Sequence, residues 1–250
     1  LTVNLIKRRL LHCILVKTIK EQFVSPIHAQ IIKLFDFMFT SIELAKLFWK
    51  EGCKVIIAAR RIEQLKKVKN EIFLEKSENY FEPNILQLDL NDLQSIPSKV
   101  EEALKFHGCV DILVNNAGVS YRGTVLNTSA LVDETIMKTN YFGHVVLTKL
   151  INELEFLLEL LPQMLKRNCG DILVINSVQG KISIPFRSAY SASKHALTAF
   201  FDCLRAELAN NNINVCVINP GYINTNLSVN ALTGNGSKHG ILDATTASGM

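Results

Sequence analysis

Short runs of consecutive apolar residues alternate with amphipathic stretches along most of the chain. The five clearest runs are Lys54–Ala59, Ile85–Leu90, Asp111–Asn115, Asp171–Asn176 and Asn214–Asn219. Runs that are apolar throughout, rather than at every second position, are typical of strands covered on both faces, as in a parallel sheet. Because a helical segment separates each run from the next, the pattern predicts an α/β fold with a doubly wound parallel sheet, which is Rossmann-like.

The two ends of the chain depart from this alternation. Before the helix predicted from residue 41, the apolar stretch Ile31–Phe39 is interrupted by Lys33 and Asp36, so we expect no regular first strand. We predict an atypical basic segment at residues 1–40 and a single Rossmann-like domain at residues 41–250. The chain stops inside the region that would supply the last strand, so we expect that strand to be missing and the domain to be incomplete at its carboxyl end.

The formal net charge is +4, and the basic side chains are concentrated near the amino terminus. Residues 1–20 contain five basic side chains and no acidic one. This excess fits a solvated or juxtamembrane segment better than a nucleic-acid arm, because aromatic residues for base stacking are lacking nearby and no basic stripe recurs downstream. We expect no nucleic-acid partner. The stretch Leu10–Val16 is too short to cross a bilayer, so no transmembrane helix is predicted.

The six cysteines are scattered along the chain. They form no CxxC pair, and no histidine lies at the spacing that a zinc ligand would need. The sequence therefore predicts neither a metal site nor a disulfide scaffold, and it favours a reducing, intracellular compartment.

Tyr190 and Lys194 are four residues apart and therefore share one face of a predicted helix. A cation beside a phenol stabilises the phenolate and lowers the tyrosine pKa, which makes the phenol usable as a general acid or base. Ser177 directly follows one predicted strand, and Asn115 ends another. Because ligands of a doubly wound sheet bind at the carboxyl ends of its strands, we expect these polar side chains to surround a ligand.

The ordered set of motifs resembles the short-chain dehydrogenase/reductase family. The matching residues are NNAG at 115–118, Asn140, Ser177, YSASK at 190–194 and PGYINT at 220–225. The resemblance implies an oxidoreductase in which Tyr190 exchanges a proton with the substrate oxygen and Ser177 orients the carbonyl group. It also implies that Lys194 binds the nicotinamide ribose and lowers the Tyr190 pKa, and that Asn140 holds a water molecule.

The same resemblance implies a nicotinamide dinucleotide cofactor. The two arginines that follow the second predicted strand suit the 2′-phosphate of NADP(H), so we expect NADP(H) rather than NAD(H); alternatively they only begin a solvated helix. The expected cofactor-binding residues are Arg60, Arg61, Asp89, Asn115, Ala117, Gly118, Tyr190, Lys194, Pro220, Gly221, Ile223 and Thr225.

Two features depart from the family pattern. Family members carry a glycine-rich turn after the first strand, whereas this chain has no glycine before Gly52. About eleven residues, 150–160, are inserted in a helix that commonly forms the dimer face of the family, which puts the expected homodimer in doubt. The missing turn leaves an alternative open, in which the chain is a non-catalytic relative that does not bind dinucleotide.

The stretches at residues 183–208 and 218–233 resemble one branch of the family in particular. The resemblance implies a membrane-associated carbonyl reductase, at the endoplasmic reticulum, with a small, lipid-like carbonyl compound or the corresponding alcohol as its substrate.

Overall fold

The computed structural model describes residues 30–34, 39–75, 81–149, 160–223 and 226–243. Its strands are β1 (Gln30–Leu34), β2 (Lys54–Ala59), β3 (Asn84–Gln87), β4 (Ile112–Asn115), β5 (Tyr121–Arg122), β6 (Gly170–Ile175), β7 (Ile213–Ile218) and β8 (Leu232–Thr233). Its α-helices are α1 (Phe39–Lys50), α2 (Ile62–Phe73), α3 (Ile96–His107), α4 (Ala130–Met137), α5 (Gly143–Lys149), α6 (Leu160–Arg167) and α7 (Ser188–Glu207).

Six of these strands form one parallel sheet in the order β3-β2-β1-β4-β6-β7. The register places Ile32 of β1 opposite Ile56 of β2 on one side and Leu113 of β4 on the other. The strand order therefore reverses between β1 and β4, which is where doubly wound sheets bind ligands beyond the carboxyl ends of their strands. The predicted α/β fold is confirmed.

The expectation of no regular first strand is wrong. Residues Gln30–Leu34 form β1, which pairs with a strand on each side near the middle of the sheet. The sheet therefore begins before residue 41, where the sequence placed the start of the domain. Backbone pairing to two neighbours can hold a strand whose apolar pattern is interrupted, as Lys33 interrupts this one.

Helices cover both faces of the sheet, which explains the consecutive apolar residues. On β2, Ile57 packs with Phe48 and Trp49 of α1, whereas the adjacent Ile56 belongs to the core on the opposite face. That second core includes Phe201 of α7. Successive side chains of a strand point to opposite faces, so each face of β2 needs its own apolar residues.

A separate two-stranded sheet lies beside the site described below. Strand β5 pairs in parallel with β8, and Tyr121 lies opposite Leu232. This pairing attaches the segment 226–243 to the chain that follows β4. Residues 35–38, where the glycine-rich turn is missing from the sequence, lie outside the described residues, as do Thr225 and residues 150–159 of the predicted insertion. Among the helices that are described, none has the length and apolar character needed to cross a membrane.

Candidate active site

Asn140 fixes the chain that follows β4. It lies in a π-helical turn, Lys138–Phe142, between α4 and α5, and such turns occur frequently at functional sites. The side chain is buried; its Oδ1 accepts a hydrogen bond from the Val119 amide at 2.7 Å, and its Nδ2 donates to the Val119 carbonyl at 2.9 Å. Nδ2 also donates to Ser193 Oγ on α7 at 3.0 Å. Asn140 thereby ties the β4 turn to helix α7.

Ser177 and Tyr190 meet at one pocket, and Lys194 lies close to Tyr190. Ser177 follows β6 and shares a side-chain hydrogen bond with Tyr190, which lies in the first turn of α7. Lys194 is one turn further along the helix, with Nζ 5.7 Å from the centre of the Tyr190 ring. Ser177 and Tyr190 both line the pocket, and the side chains of Tyr190 and Lys194 are almost completely buried.

The sequence predicted that Lys194 lowers the pKa of Tyr190, whereas in the structure the pKa of Tyr190 is raised above its usual value, chiefly by burial. Burial raises the pKa of Tyr190, while the hydrogen bond with Ser177 and the charges of Arg122 and Arg187 lower it. Burial also lowers the pKa of Lys194 to about 8, because a charged ammonium is poorly solvated inside a protein. The positive charges that lower the Tyr190 pKa in this structure are therefore those of the two arginines.

Gly118 lies close to both Lys194 and Asn140. A Cβ at Gly118 would lie 3.2 Å from Asn140 Oδ1 and 3.6 Å from Lys194 Nζ. Within the described part of the chain, no acidic side chain forms an ion pair with this ammonium. A buried ammonium beside a glycine turn provides hydrogen-bond donors for a polyhydroxyl group such as a ribose, so these residues fit a dinucleotide.

His144 supports the same turn from behind, and the sequence did not single it out. Its Nδ1 lies 3.0 Å from Asn115 Oδ1, and its Nε2 lies 2.8 Å from the Ala117 carbonyl oxygen. Burial lowers the pKa of His144 to about 3, so the ring is neutral and carries one N–H. That hydrogen is on Nε2, which donates to Ala117. Nδ1 carries no hydrogen and must therefore accept a hydrogen bond. The Asn115 amide then has to be turned so that its nitrogen, rather than its oxygen, faces Nδ1.

The predicted cofactor residues fall into two groups. Pro220, Gly221 and Ile223 line the pocket together with Ser177 and Tyr190. Arg60, Arg61 and Asp89 instead lie near the carboxyl ends of β2 and β3, on the far side of β1. Both arginines are exposed, and Asp89 Oδ1 accepts a hydrogen bond from the Asn91 amide at 2.9 Å. The structure therefore places these three residues along the same edge of the sheet but away from the pocket that Ser177 and Tyr190 line.

Arg122 adds a cation to the pocket wall that the sequence did not reveal. It ends β5, lines the pocket, and donates from NH1 to Ser120 Oγ at 2.7 Å. Its Nε donates to Asp243 Oδ2 at 2.9 Å, and Arg187 NH2 donates to the same oxygen at 3.1 Å. Asp243 is 121 residues away from Arg122, so no local sequence pattern could connect them.

Among the described residues, no three His, Cys, Asp or Glu side chains come together as metal ligands. The five cysteines in this part of the chain form no disulfide with one another.

A doubly wound sheet with a buried tyrosine and lysine and a neighbouring serine at the carboxyl ends of its strands is typical of the short-chain dehydrogenase class. The family model described as short chain dehydrogenase matches residues 41–235. The chain belongs to this family.

Curated relatives agree with the branch that the sequence resembled. Dehydrogenase/reductase SDR family member 7B of Xenopus tropicalis is 51% identical over 209 residues, which are 83% of this chain and 65% of the relative. A Dehydrogenase/reductase SDR family protein 7-like of Drosophila melanogaster is 51% identical over 207 residues, 83% of this chain and 61% of the relative. The chain thus spans less than two thirds of the length of these relatives.

Solved structures share the fold. A short-chain dehydrogenase/reductase from Burkholderia phymatum in complex with NAD superposes with a TM-score of 0.73 at 20% identity, covering 82% of this chain and 70% of the other. A variant of actinorhodin polyketide ketoreductase with NADPH gives a TM-score of 0.70 at 28% identity, over 79% and 72% of the two chains. One neighbour therefore contains NAD and the other NADPH.

Proposed function

We propose that the protein is an NADP(H)-dependent oxidoreductase that reduces a lipid-like carbonyl compound or oxidises the corresponding alcohol. The proposal rests on one observation. Ser177 is hydrogen-bonded to Tyr190 in the pocket, and Lys194 lies one helical turn from Tyr190. This arrangement is why the alternative of a non-catalytic relative is not favoured.

Tyr190 is the proton donor in the direction of reduction. Its phenolic proton passes to the carbonyl oxygen as that oxygen becomes a hydroxyl, and the Tyr190 oxygen is left as a phenolate. Ser177 donates a hydrogen bond to the same carbonyl oxygen and stabilises the charge that develops on it. In the direction of oxidation the phenolate takes the alcohol proton. Asn140 keeps the β4 turn and α7 in register, so that these groups stay at fixed separations.

The chain offers a coherent set of cofactor ligands. The reduced nicotinamide, when bound, supplies the hydride. Lys194 and the turn of Asn115, Ala117 and Gly118 would hold its ribose, with Pro220, Gly221, Ile223 and Thr225 along the nicotinamide; Asp89 would lie at the adenine. Arg60 and Arg61 would bind a 2′-phosphate, which supports NADP(H) over NAD(H), as does the NADPH in the ketoreductase. NAD in the Burkholderia protein keeps NAD(H) as the competing cofactor.

The proposal of a lipid-like substrate is based on the apolar residues in and around the pocket. Ile175 and Leu227 line it. Near its wall, Phe186 precedes Arg187 and Ile241 lies two residues before Asp243, and their side chains are 61% and 65% exposed. Exposed apolar side chains beside a pocket suit an acyl chain that enters from a membrane. Membrane association at the endoplasmic reticulum is part of the same proposal.

A homodimer is the proposed assembly. Phe142 is half exposed, and it stacks edge-on against Tyr141, which also contacts Phe200 of α7. Such an aromatic surface suits a second copy of this chain. Sedimentation of the wild type and of Phe142→Glu tests it, because a dimer through this surface becomes a monomer in the variant.

Activity is tested by following NADPH oxidation with a series of ketones of increasing alkyl chain length. Turnover should rise with chain length and should be lost in Tyr190→Phe, while the affinity for NADPH changes little. Tyr141→Phe is the matched control, because Tyr141 packs against Phe200 and does not line the pocket. Equal turnover in Tyr190→Phe and the wild type would reject the proposed proton donor.

A further inference from the structure

The segment 226–243 places a carboxylate against two partly buried guanidiniums beside the proposed catalytic tyrosine. The carboxylate is Asp243, and the guanidiniums are those of Arg122 and Arg187. The three side chains are between 10% and 17% exposed. Ser228 adds a hydrogen bond, donating to Asp243 Oδ2 at 2.7 Å. The carboxylate is thus held on several sides.

The charges in this cluster do not cancel. Among the described residues, the cluster contains two guanidiniums, which carry positive charge, and one carboxylate that opposes them. Although burial alone would raise the pKa of Asp243, hydrogen bonds from Arg122 and Ser228 and the arginine charges hold it below its usual range. Asp243 is therefore ionised, and one positive charge is left over in the wall of the pocket. His239 is also near the cluster, with its Nε2 3.7 Å from Asp243 Oδ1.

The geometry brings this surplus charge to Tyr190. Arg122 and Tyr190 line the same pocket, and Arg187 directly precedes the helix that carries Tyr190. Tyr121, the neighbour of Arg122, packs in one apolar cluster with Tyr190. The titratable and charged groups around Tyr190 are Lys194 and Arg187 on its own helix or at its start, Arg122 from β5, Asp243 and His239 from the carboxyl-terminal segment, and Tyr222 after β7.

We propose that the Arg122–Asp243 ion pair, together with Arg187, stabilises the phenolate that Tyr190 becomes when it gives its proton to the carbonyl oxygen. Asp243 acts as a positioning residue, since it holds both guanidiniums against the pocket and also sets how much of their charge remains. The segment 226–243 therefore contributes to the acid–base step as well as to the wall of the pocket. This inference rests on the proposed role of Tyr190, and it extends that role to residues outside the Ser, Tyr, Lys and Asn set.

Two variants distinguish an effect of charge on Tyr190 from an effect of packing alone. Asp243→Asn keeps an oxygen that can accept from Arg122 but removes the negative charge, so Tyr190 should ionise at a lower pH. Arg122→Gln removes a positive charge, so Tyr190 should ionise at a higher pH. Each shift should be about half a pH unit or more for charges in the wall of the same pocket. The double variant should lie between the two single variants.

The experiment measures Tyr190 ionisation directly, without cofactor or substrate. Protein labelled with carbon-13 at the tyrosine ζ position is titrated by NMR from about pH 8 to about pH 12, because the pKa of the buried Tyr190 is raised above the ordinary tyrosine value of about 10. The Tyr190 resonance is assigned from its absence in Tyr190→Phe, and circular dichroism at each pH shows that the variants stay folded. Asp202→Asn is the control, since Asp202 lies on the same helix and pairs with Arg205 but does not line the pocket.

Opposite shifts in Asp243→Asn and Arg122→Gln, with no shift in Asp202→Asn, support the proposal. Shifts in the same direction would show that the ion pair acts only through packing, and the absence of shifts would show that it does not act on Tyr190; either result overturns the proposal. Because the titration needs no turnover, an enzyme that failed to oxidise NADPH would contradict the proposed function without deciding this measurement.

Discussion

Asn140 bonds both backbone groups of Val119, accepting from its amide at 2.7 Å and donating to its carbonyl at 2.9 Å. One side chain thereby closes the turn in which Gly118 lies close to Lys194. The same amide also donates to Ser193 Oγ, so it connects the predicted dinucleotide turn with helix α7.

Replacing Asn140 should therefore destabilise the fold and weaken the cofactor site together. Asn140→Ala leaves two Val119 backbone groups without their partner, which should cost about 2–4 kcal/mol in the free energy of unfolding. The measurement is urea unfolding, paired with NADPH titration at a temperature where the variant is folded. Asn230→Ala is the control, because the exposed Asn230 amide also bonds a backbone carbonyl; it should cost less than about 0.5 kcal/mol. Equal losses in both variants would contradict the role of Asn140.

His144 should make the protein less stable in mild acid. Its pKa is about 3 in the folded protein and about 6.5 when unfolded. Between these values the unfolded state binds the proton and the native state does not, so stability falls as pH decreases from about 6.5 towards 3, by up to about 1.4 kcal/mol per pH unit. Unfolding at several pH values should show a shallower dependence for His144→Gln than for the wild type.

The control for this pH dependence is His195→Gln. His195 Nδ1 lies 2.9 Å from the Ser191 carbonyl oxygen, and the residue is exposed. This variant shows what the loss of an exposed imidazole does to the measurement, so that the effect of the buried His144 can be judged against it. If His144→Gln and the wild type lose stability in parallel below pH 6, the buried neutral ring proposed for His144 is refuted.

Asp171 is a destabilising carboxylate at the opposite edge of the sheet. Burial raises its pKa to about 6, although the hydrogen bond from Asn214 acts in the other direction. An acid with a raised folded pKa favours folding below its unfolded pKa of about 3.9 and loses that contribution as pH rises through 6. Asp171→Asn keeps the acceptor for Asn214 and should therefore stabilise the protein at pH 7 by about 1–2 kcal/mol, after allowance for partial exposure.

The gain in Asp171→Asn should disappear in acid. Thermal unfolding of both proteins should show a higher melting temperature for the variant at pH 7 and nearly equal values at about pH 4, where the carboxyl is protonated in the native state. A constant difference across this range would mean that the effect does not come from ionisation.

Arg60 and Arg61 should determine the choice between the two nicotinamide cofactors. Replacing both with alanine removes the guanidiniums proposed for the 2′-phosphate, so the KM for NADPH should rise by about tenfold or more while that for NADH changes little. Lys66→Ala with Lys67→Ala on α2 is the control for a general loss of positive charge. A parallel change for NADPH and NADH would indicate that the two arginines only begin a solvated helix.

The sequence predicted the sheet wherever its strands are apolar on both faces. Lys54–Ala59 forms β2 with the predicted bounds, and Asp171–Asn176 overlaps β6 closely. It failed at β1, where a lysine within the strand hid a segment that pairs with two neighbours. Backbone pairing of distant segments has no local pattern, so only the folded chain reveals it.

The residues of the candidate site likewise include some that the sequence predicted and some that it did not. Three site residues could be predicted from the sequence, namely Ser177, Tyr190 and Lys194. The serine follows a predicted strand, and the tyrosine and lysine are one helical turn apart, so their positions alone indicate a shared site. His144 and Asp243 could not be selected, because each acts through residues far away in the sequence: His144 bonds Asn115, and Asp243 bonds Arg122 across 121 residues. Buried polar groups are satisfied by tertiary contacts, and those contacts are what the sequence alone lacks.

Titration of the purified protein with NADPH, followed by nicotinamide fluorescence, tests the proposed function most directly. The chain has no glycine before Gly52, so it lacks the glycine-rich turn that family members carry after the first strand. Dinucleotide binding is therefore the property that decides whether the proposed function is right. Lys194 and the turn ending at Gly118 retain the residues that we expect to bind the cofactor. We therefore expect saturable binding of NADPH with a Kd of about 1–100 µM, and weaker binding of NADH. No binding of either dinucleotide at about 1 mM would contradict an NADP(H)-dependent oxidoreductase.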